Sequence, residues 1–161
     1  MLPGKRKRLF RGQFTKYNGE DKEINAESNM PKVVRVMKRD DDGLPTVGPS
    51  SSTLGVRPGI DIDVDPQNNA ISNDKGMSVA PSWKDISPRR IPKRLGGQGS
   101  NGTYVFVFGS GIFEQAVIAD GLELLPDSPT HGVVRPIATV PLAQYETALA
   151  ATRASWRIDE T

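Results

Sequence analysis

The chain of 161 residues contains no cysteine and a single histidine, His131. Without cysteine there is no disulfide, no thiol nucleophile and no thiolate metal ligand, so a disulfide-stabilised secreted scaffold and a zinc ribbon are both excluded. A single imidazole excludes any site that needs two. A Ser-His-Asp arrangement would have to use His131, but no Gly-x-Ser-x-Gly turn supplies a serine for it.

Long hydrophobic runs are also missing. A membrane-spanning helix needs about 18 consecutive apolar residues, and no stretch of the chain approaches that length. The basic start of the chain is also not followed by the apolar segment of a secretory signal. We therefore expect no contact with a membrane and a protein that is made and folded in the cytoplasm. Later delivery into target cells by a contractile secretion apparatus stays open, because that route needs no cleavable signal.

Aromatic residues are scarce at 6%, whereas the chain carries 16 glycines and 13 prolines. Its length fits one domain with one core. The sequence therefore predicts a single domain over residues 1–161, rich in loops and with its best core in the C-terminal half. Residues 44–72 hold so many glycines and prolines that a long helix is impossible there. They predict a long surface loop outside the core, which either covers a pocket or is inert.

The formal net charge of +2 conceals an asymmetry between the two ends of the chain. Residues 1–39 hold 11 Lys and Arg against 4 Asp and Glu, and residues 40–161 hold 10 against 15. A basic N-terminus attracts nucleic acid, phosphate-bearing ligands or an acidic protein. The charge pattern does not choose among these partners, and a merely solvated start of the chain is an equal alternative.

Hydrophobic patterning predicts mixed secondary structure. Runs of β-branched and aromatic residues favour strands, and apolar residues at helical spacing favour helices. The predicted strands are Leu9–Phe10, Val33–Lys38, Gly76–Ala80, Thr103–Phe108 and Gly132–Val140, the last interrupted at Pro136. The predicted helices are Ile112–Ala119 and Leu142–Ile158.

Two clusters could bind an ion. Asp61, Asp63 and Asp65 alternate along the chain, but Pro66 stands where a calcium-binding EF-hand loop needs glycine. We therefore expect Ile60, Ile62 and Val64 to face inward and the aspartates to face water, with no metal site.

The second cluster is the glycine-rich segment 96–102. It lacks the lysine and hydroxyl ending of a phosphate loop and precedes a strand, which favours a simple turn. Next to Arg89, Arg90, Lys93 and Arg94, however, it could help to hold a phosphate.

Two short motifs carry a more specific chemistry: Leu9-Phe10-Arg11-Gly12 and Gly76-Met77-Ser78-Val79. An arginine at a strand end can pair bidentately with a pyrophosphate or ribose oxygen, and a small serine on a strand lets a flat nicotinamide ring approach the backbone. The combination suits NAD. The alternatives are an exposed surface arginine and an ordinary small residue on a strand.

The segment Arg8 to Gln13 resembles the first signature of ADP-ribosyltransferase-like domains. The chain is also similar to bacteriostatic type VI secretion effector toxins of this fold in its Gly76–Val79 strand, in His131 followed by Pro136, and in a closing helix near Trp156. The resemblance implies an α+β fold with a split antiparallel β-sheet core, a few helices and an NAD cleft.

The same resemblance implies roles for individual residues. Arg11, Gly12, Met77 and Ser78 would bind NAD, and Arg11, Ser78 and His131 would belong to the catalytic site, with His131 orienting a ribose hydroxyl or the substrate.

Glu146 is the candidate for the third signature of these enzymes, a glutamate that contacts the nicotinamide ribose. Gln144-Tyr145-Glu146 is similar to their Gln-x-Glu motif, which belongs at the entry to a strand, whereas residues 142–158 predict a helix. The leading hypothesis is a toxin that cleaves NAD and transfers ADP-ribose to an unknown acceptor, countered by an immunity protein. The alternatives are a non-enzymatic phage or secretion-system protein whose basic N-terminus docks on nucleic acid or an acidic partner, and a fold that keeps its ligand but has lost the chemistry.

Overall fold

The computed structural model describes residues 29–161. The predicted strand Leu9–Phe10, together with Arg11 and Gly12, lies outside the described residues. Within residues 29–161 no helix has the length and apolar character needed to cross a membrane. The elements in chain order are β1 (Val33–Lys38), β2 (Asn69–Ala70), β3 (Met77–Val79), β4 (Thr103–Phe108), β5 (Ala116–Ala119), β6 (Leu122–Ser128), β7 (His131–Pro136), β8 (Val140–Pro141), α1 (Leu142–Ala150) and β9 (Arg157–Ile158).

The named strands pair antiparallel in three sheets, ordered β1-β4-β9, β2-β8 and β3-β7-β6-β5. The first and third sheets meet at one antiparallel bridge, where Val34 and Ala80 exchange backbone hydrogen bonds of 2.7 and 3.0 Å. With one short α-helix, the described chain is an α+β fold dominated by antiparallel sheet. This confirms the broad fold class and the strands predicted over residues 33–38, 77–79 and 103–108.

Strand β1 separates two apolar layers because successive side chains point to opposite faces of a sheet. Val33 and Met37 pack in the main core, whereas Val34 and Val36 belong to a smaller cluster on the other face. That smaller cluster also contains Ile91, Val105 and Val107. Arg35 lies on the main-core side between Val33 and Met37, and is buried.

The C-terminal helix is shorter than predicted. It buries Leu142, Tyr145 and Leu149 against the main core and ends at Ala150. The Thr152 hydroxyl then donates to the Leu149 carbonyl oxygen and accepts from the Trp156 indole, an arrangement that closes the helix and buries the tryptophan. A 3₁₀ turn follows, and the chain pairs with β4 as strand β9.

The predicted helix over residues 112–119 is wrong. Residues 116–119 form β5, in which Val117 is exposed and Ile118 buried, an alternation of period two that a short window does not separate from a helical one. Pairing with β6 provides the backbone hydrogen bonds, so tertiary context decides the structure of this segment.

The expectation that residues 44–72 lie outside the core is also wrong. The segment is largely irregular, but Leu54, Val56, Ile62 and Ala70 are buried in the main core. Ile62 faces inward as predicted, whereas Ile60 is 63% exposed. The predicted surface loop is therefore a structural part of the domain.

Candidate functional site

Ser78 and His131 lie on one face of the sheet formed by β3, β7, β6 and β5. Ser78 pairs with Val133 on β7, and His131 stands two residues before Val133 on the same strand. Paired residues and alternate residues share a face, so the two predicted site residues point to the same side. Met77 points to the other side and is buried in the main core, so a ligand beside Ser78 would meet only its backbone.

His131 is held by a neighbouring carboxylate. Its Nδ1 lies 2.9 Å from Asp127 Oδ1 across the turn that joins β6 to β7, and both side chains are about half exposed. The Ser78 carbonyl oxygen accepts a hydrogen bond of 2.8 Å from Arg35. The strand position of Ser78 is thus fixed from the core side.

Glu146 does not join Ser78 and His131. It follows Tyr145 on α1, and the Tyr145 hydroxyl accepts from the Met77 amide at 3.2 Å and donates to the Val134 carbonyl oxygen at 2.6 Å. Helix α1 therefore packs on the core side of this sheet, opposite the face that carries Ser78. The proposed grouping of Glu146 with the other two residues is a sequence expectation that this packing does not support.

A different carboxylate shares the face of Ser78. Glu123 on β6 pairs in register with Arg135, two residues beyond Val133. Its Oε1 accepts from Arg135 Nε and Nη2 at 3.1 and 3.0 Å, and Gln115 donates to its Oε2. The hydrogen bond from Gln115 and the Arg135 guanidinium lower the pKa of Glu123. Sequence reasoning missed this residue because nothing local indicates which strands will be neighbours.

A basic cleft of about 500 Å³ lies elsewhere on the domain, beside the ends of β1 and β4. Four of its side chains are cationic, several carry hydroxyls, and none of the lining residues is acidic. The lining residues, called here the basic cleft, are Val36, Lys38, Arg39, Thr46, Ser51, Ser52, Arg89, Arg90, Gly99, Ser100, Gly102 and Thr103.

Acidic residues also border the basic cleft, outside its lining. Asp40, which accepts from the Thr46 hydroxyl at 2.7 Å, also lies 2.9 Å from Arg153. Glu160 pairs with Arg94. Arg153 also binds Asp42, so the positive charge of the cleft comes from its own lining residues, Lys38, Arg39, Arg89 and Arg90.

One wall of the basic cleft is the glycine-rich turn of residues 96–102. Arg94 braces this turn by donating to the carbonyl oxygens of Asn101 and Thr103 at 3.0 Å each. Gly97 and Gly99 pass so close to the backbone of Ile91 that a β-carbon would lie 2.2 and 2.8 Å from its carbonyl oxygen. The sequence prediction of a turn beside basic residues is confirmed here.

Ser51 and Ser52 form another part of the lining of the basic cleft, and the segment that contains them, residues 50–55, is hydrogen-bonded to the buried side chain of Arg35. Its guanidinium donates to the carbonyl oxygens of Thr53, Ser50 and Gly55 at 3.0, 3.1 and 3.4 Å, in addition to Ser78. Burial lowers the pKa of Arg35 to about 10, with a further contribution from Arg90, so the side chain is still charged at neutral pH.

A second arginine, Arg90, donates to the Ser51 carbonyl oxygen. Burial and the charge of Arg57 lower the pKa of Arg90. The nearby carboxylate, Asp61, is engaged by Arg57, which donates to its two oxygens at 3.0 and 2.8 Å. The carboxylate of Asp61 is thus paired with Arg57, whereas Arg90 lines the basic cleft.

The aspartates that alternate along residues 61–65 do not converge. Asp61 bonds to Arg57, Asp63 to Asn73 and Lys75, and Asp65 to the backbone and side chain of Asn69. Among residues 29–161 no group of three or more histidine and carboxylate side chains is arranged to bind a metal ion.

Comparisons of the chain with protein-family models, with curated proteins and with solved structures find no match. The geometry of the site therefore carries the functional inference. Sequence reasoning had associated Arg89 and Arg90 with a phosphate, but it missed Lys38, Arg39 and Ser51. Lys38, Arg39 and Ser51 lie 38 to 52 positions before Arg89 and Arg90 in the chain, and the pairing of β1 with β4 brings Lys38 and Arg39 to the glycine-rich turn.

Proposed function

We propose that the protein binds a phosphate-bearing ligand in the basic cleft. The observation that carries this proposal is the convergence of four cationic side chains and several hydroxyls on one open cleft with no acidic lining residue. Arginine forms bidentate hydrogen bonds with phosphate oxygens, and lysine contributes a point charge. A ligand with several negative charges matches this lining better than a single carboxylate, which would leave most of the cations without a counter-charge.

Replacing Lys38 with glutamine should weaken binding of pyrophosphate about tenfold, because one charged contact is lost and a tenfold change is a typical effect of such a loss. Lys38 is exposed, and its backbone keeps the strand hydrogen bonds of β1, so the fold should be unaffected. The measurement is isothermal titration calorimetry with pyrophosphate at an ionic strength of about 0.15 M, at which exposed charges more than about 8 Å apart are largely screened.

Lys84→Gln is the matched control for Lys38→Gln. Lys84 is also an exposed lysine, it lies outside the basic cleft, and the substitution changes the net charge by the same amount. Its affinity for pyrophosphate should stay within about twofold of wild type, because long-range charge effects are screened. Equal weakening by both substitutions, or no binding by the wild type, would contradict the proposal.

The second candidate function is NAD binding with transfer of ADP-ribose, as in the toxins that the sequence resembles. The observation that favours it is that Ser78 and His131 share one sheet face with a carboxylate, Glu123. In this version of the proposal Glu123, rather than Glu146, would stabilise the positive charge that develops on the ribose as the glycosidic bond breaks. An immunity protein would then be the natural partner.

This candidate predicts that NAD binds to the wild type and at least about tenfold more weakly to Arg11→Ala, since one bidentate phosphate contact would be lost. It also predicts that Glu123→Gln abolishes release of nicotinamide whereas Glu146→Gln retains it. Calorimetry measures the first effect and chromatography of the products the second. No binding by either protein eliminates NAD as the ligand, and equal binding by both shows that Arg11 does not contact NAD, which contradicts this candidate.

A further inference from the structure

The basic cleft offers phosphate contacts but no platform for a base. None of its lining residues is aromatic. Tyr104 on β4 follows the lining residue Thr103, but its ring is already occupied. The guanidinium groups of Arg39 and Arg94 stack on it, with their central carbons 4.2 and 4.7 Å from the ring centre. Proteins that recognise single bases usually stack them on such a ring. The cleft is therefore built to contact phosphate and sugar, not the base.

The positions of the cations indicate a ligand that extends past the cleft. They come from two separate segments, Lys38-Arg39 and Arg89-Arg90, and the cleft is open to solvent instead of enclosing a small molecule. Lys93, three positions after Arg90 in the chain, is also exposed. Four cations spread along an open cleft attract a polyanion more strongly than a single nucleotide.

We propose that the phosphate-bearing ligand is the backbone of a nucleic acid, bound without regard to base sequence. This inference rests on the proposed function of the basic cleft and names its ligand class. Phosphate contacts position a protein on nucleic acid without reading its sequence. Four lining cations set the scale of the interaction, since each neutralised phosphate releases a counterion and makes the affinity depend on salt.

The test is fluorescence anisotropy of the full chain with labelled 20-nucleotide single strands and with the corresponding duplex, at several salt concentrations. We expect a plot of the logarithm of the affinity for single strands against the logarithm of the salt concentration to have a slope of about −2.8 or steeper. This value comes from four phosphates at about −0.7 each. Single strands of different sequence should bind within about threefold of one another. Lys38→Gln and Arg89→Gln should each make the slope shallower by about 0.7, whereas Lys84→Gln should not change it.

The outcomes separate this inference from the proposal on which it rests. If pyrophosphate binds in the cleft but nucleic acid does not, the inference is overturned and the phosphate site stands. The same holds if Lys38→Gln and Arg89→Gln bind nucleic acid as wild type does, because the basic N-terminus would then account for the binding, or if affinity follows base sequence. If neither pyrophosphate nor nucleic acid binds, both are overturned.

Discussion

Replacing Arg35 with leucine should lower the free energy of unfolding by about 4 kcal/mol or more. Four backbone carbonyl oxygens accept hydrogen bonds from this buried guanidinium, those of Ser50, Thr53, Gly55 and Ser78. A buried acceptor that loses its partner costs about 1 to 3 kcal/mol, and leucine provides no donor. The gain from removing a buried charge offsets part of this loss but does not restore the four contacts.

Urea denaturation monitored by circular dichroism measures this effect. Arg35→Lys tests whether the loss of stability depends on the number of hydrogen bonds that remain. Lysine keeps the charge but donates from a single point, so it should satisfy only some of the four acceptors and give an intermediate stability. Arg39→Leu is the control, because Arg39 is exposed and lies four positions further along the chain, directly after the end of β1. An Arg35→Leu protein as stable as wild type would show that the four hydrogen bonds contribute nothing. If Arg35→Leu fails to fold, the position of Arg35→Lys between wild type and unfolded chain decides the question.

The same buried arginine connects the fold to the basic cleft. Arg35 holds residues 50–55 from the core side, and Ser51 and Ser52 of that segment line the cleft. A variant that folds but releases this segment should therefore bind pyrophosphate less well. Arg35 is a positioning residue in this respect, because it does not line the cleft itself.

Strands β1 and β4 of the first sheet could be predicted from local sequence because their composition strongly favours strand, whereas β9 lies within the segment predicted as a helix. Val33 to Lys38 and Thr103 to Phe108 are rich in β-branched and aromatic residues, and both are strands. Residues 112–119 could not be predicted in this way. Their short apolar pattern fits a helix and a strand equally, and pairing with β6 settles the choice.

The candidate site could be predicted only where its residues are close in sequence. Arg89 and Arg90 stand beside the glycine-rich turn in the chain as well as in space. The grouping of Ser78 with His131 on one face depends on the register between β3 and β7, and the separation of Glu146 depends on which side of that sheet the helix packs. Both depend on tertiary structure. Short sequence motifs therefore predict the strand or helix on which each residue lies, but not which side chains are close together in the fold.

Residues 44–72 show most directly why composition misleads. Glycine and proline exclude long regular elements, which the structure bears out, but irregular backbone can still bury its apolar side chains. Leu54 is 1% exposed, its amide donates to the Thr46 carbonyl oxygen at 2.8 Å, and its side chain packs in the main core. Buried carbonyl groups of this segment find their partner in Arg35 rather than in a strand.

Leu54→Ala should accordingly lower the free energy of unfolding by about 3 kcal/mol, within the range of about 2 to 5 kcal/mol found when a buried leucine is truncated. A loop outside the core would give almost no change. Urea denaturation monitored by circular dichroism measures the difference, and the dependence on urea should keep the same slope because the fold is retained.

Val47→Ala is the control for Leu54→Ala within the same segment. Val47 pairs with Leu54 in an isolated bridge but is 46% exposed, so its truncation should change stability by no more than about 0.5 kcal/mol. If the two substitutions cost the same, burial of Leu54 does not stabilise the domain. If Leu54→Ala alone is costly and also weakens binding of pyrophosphate, the anchoring of this segment in the core is what holds Ser51 and Ser52 at the basic cleft.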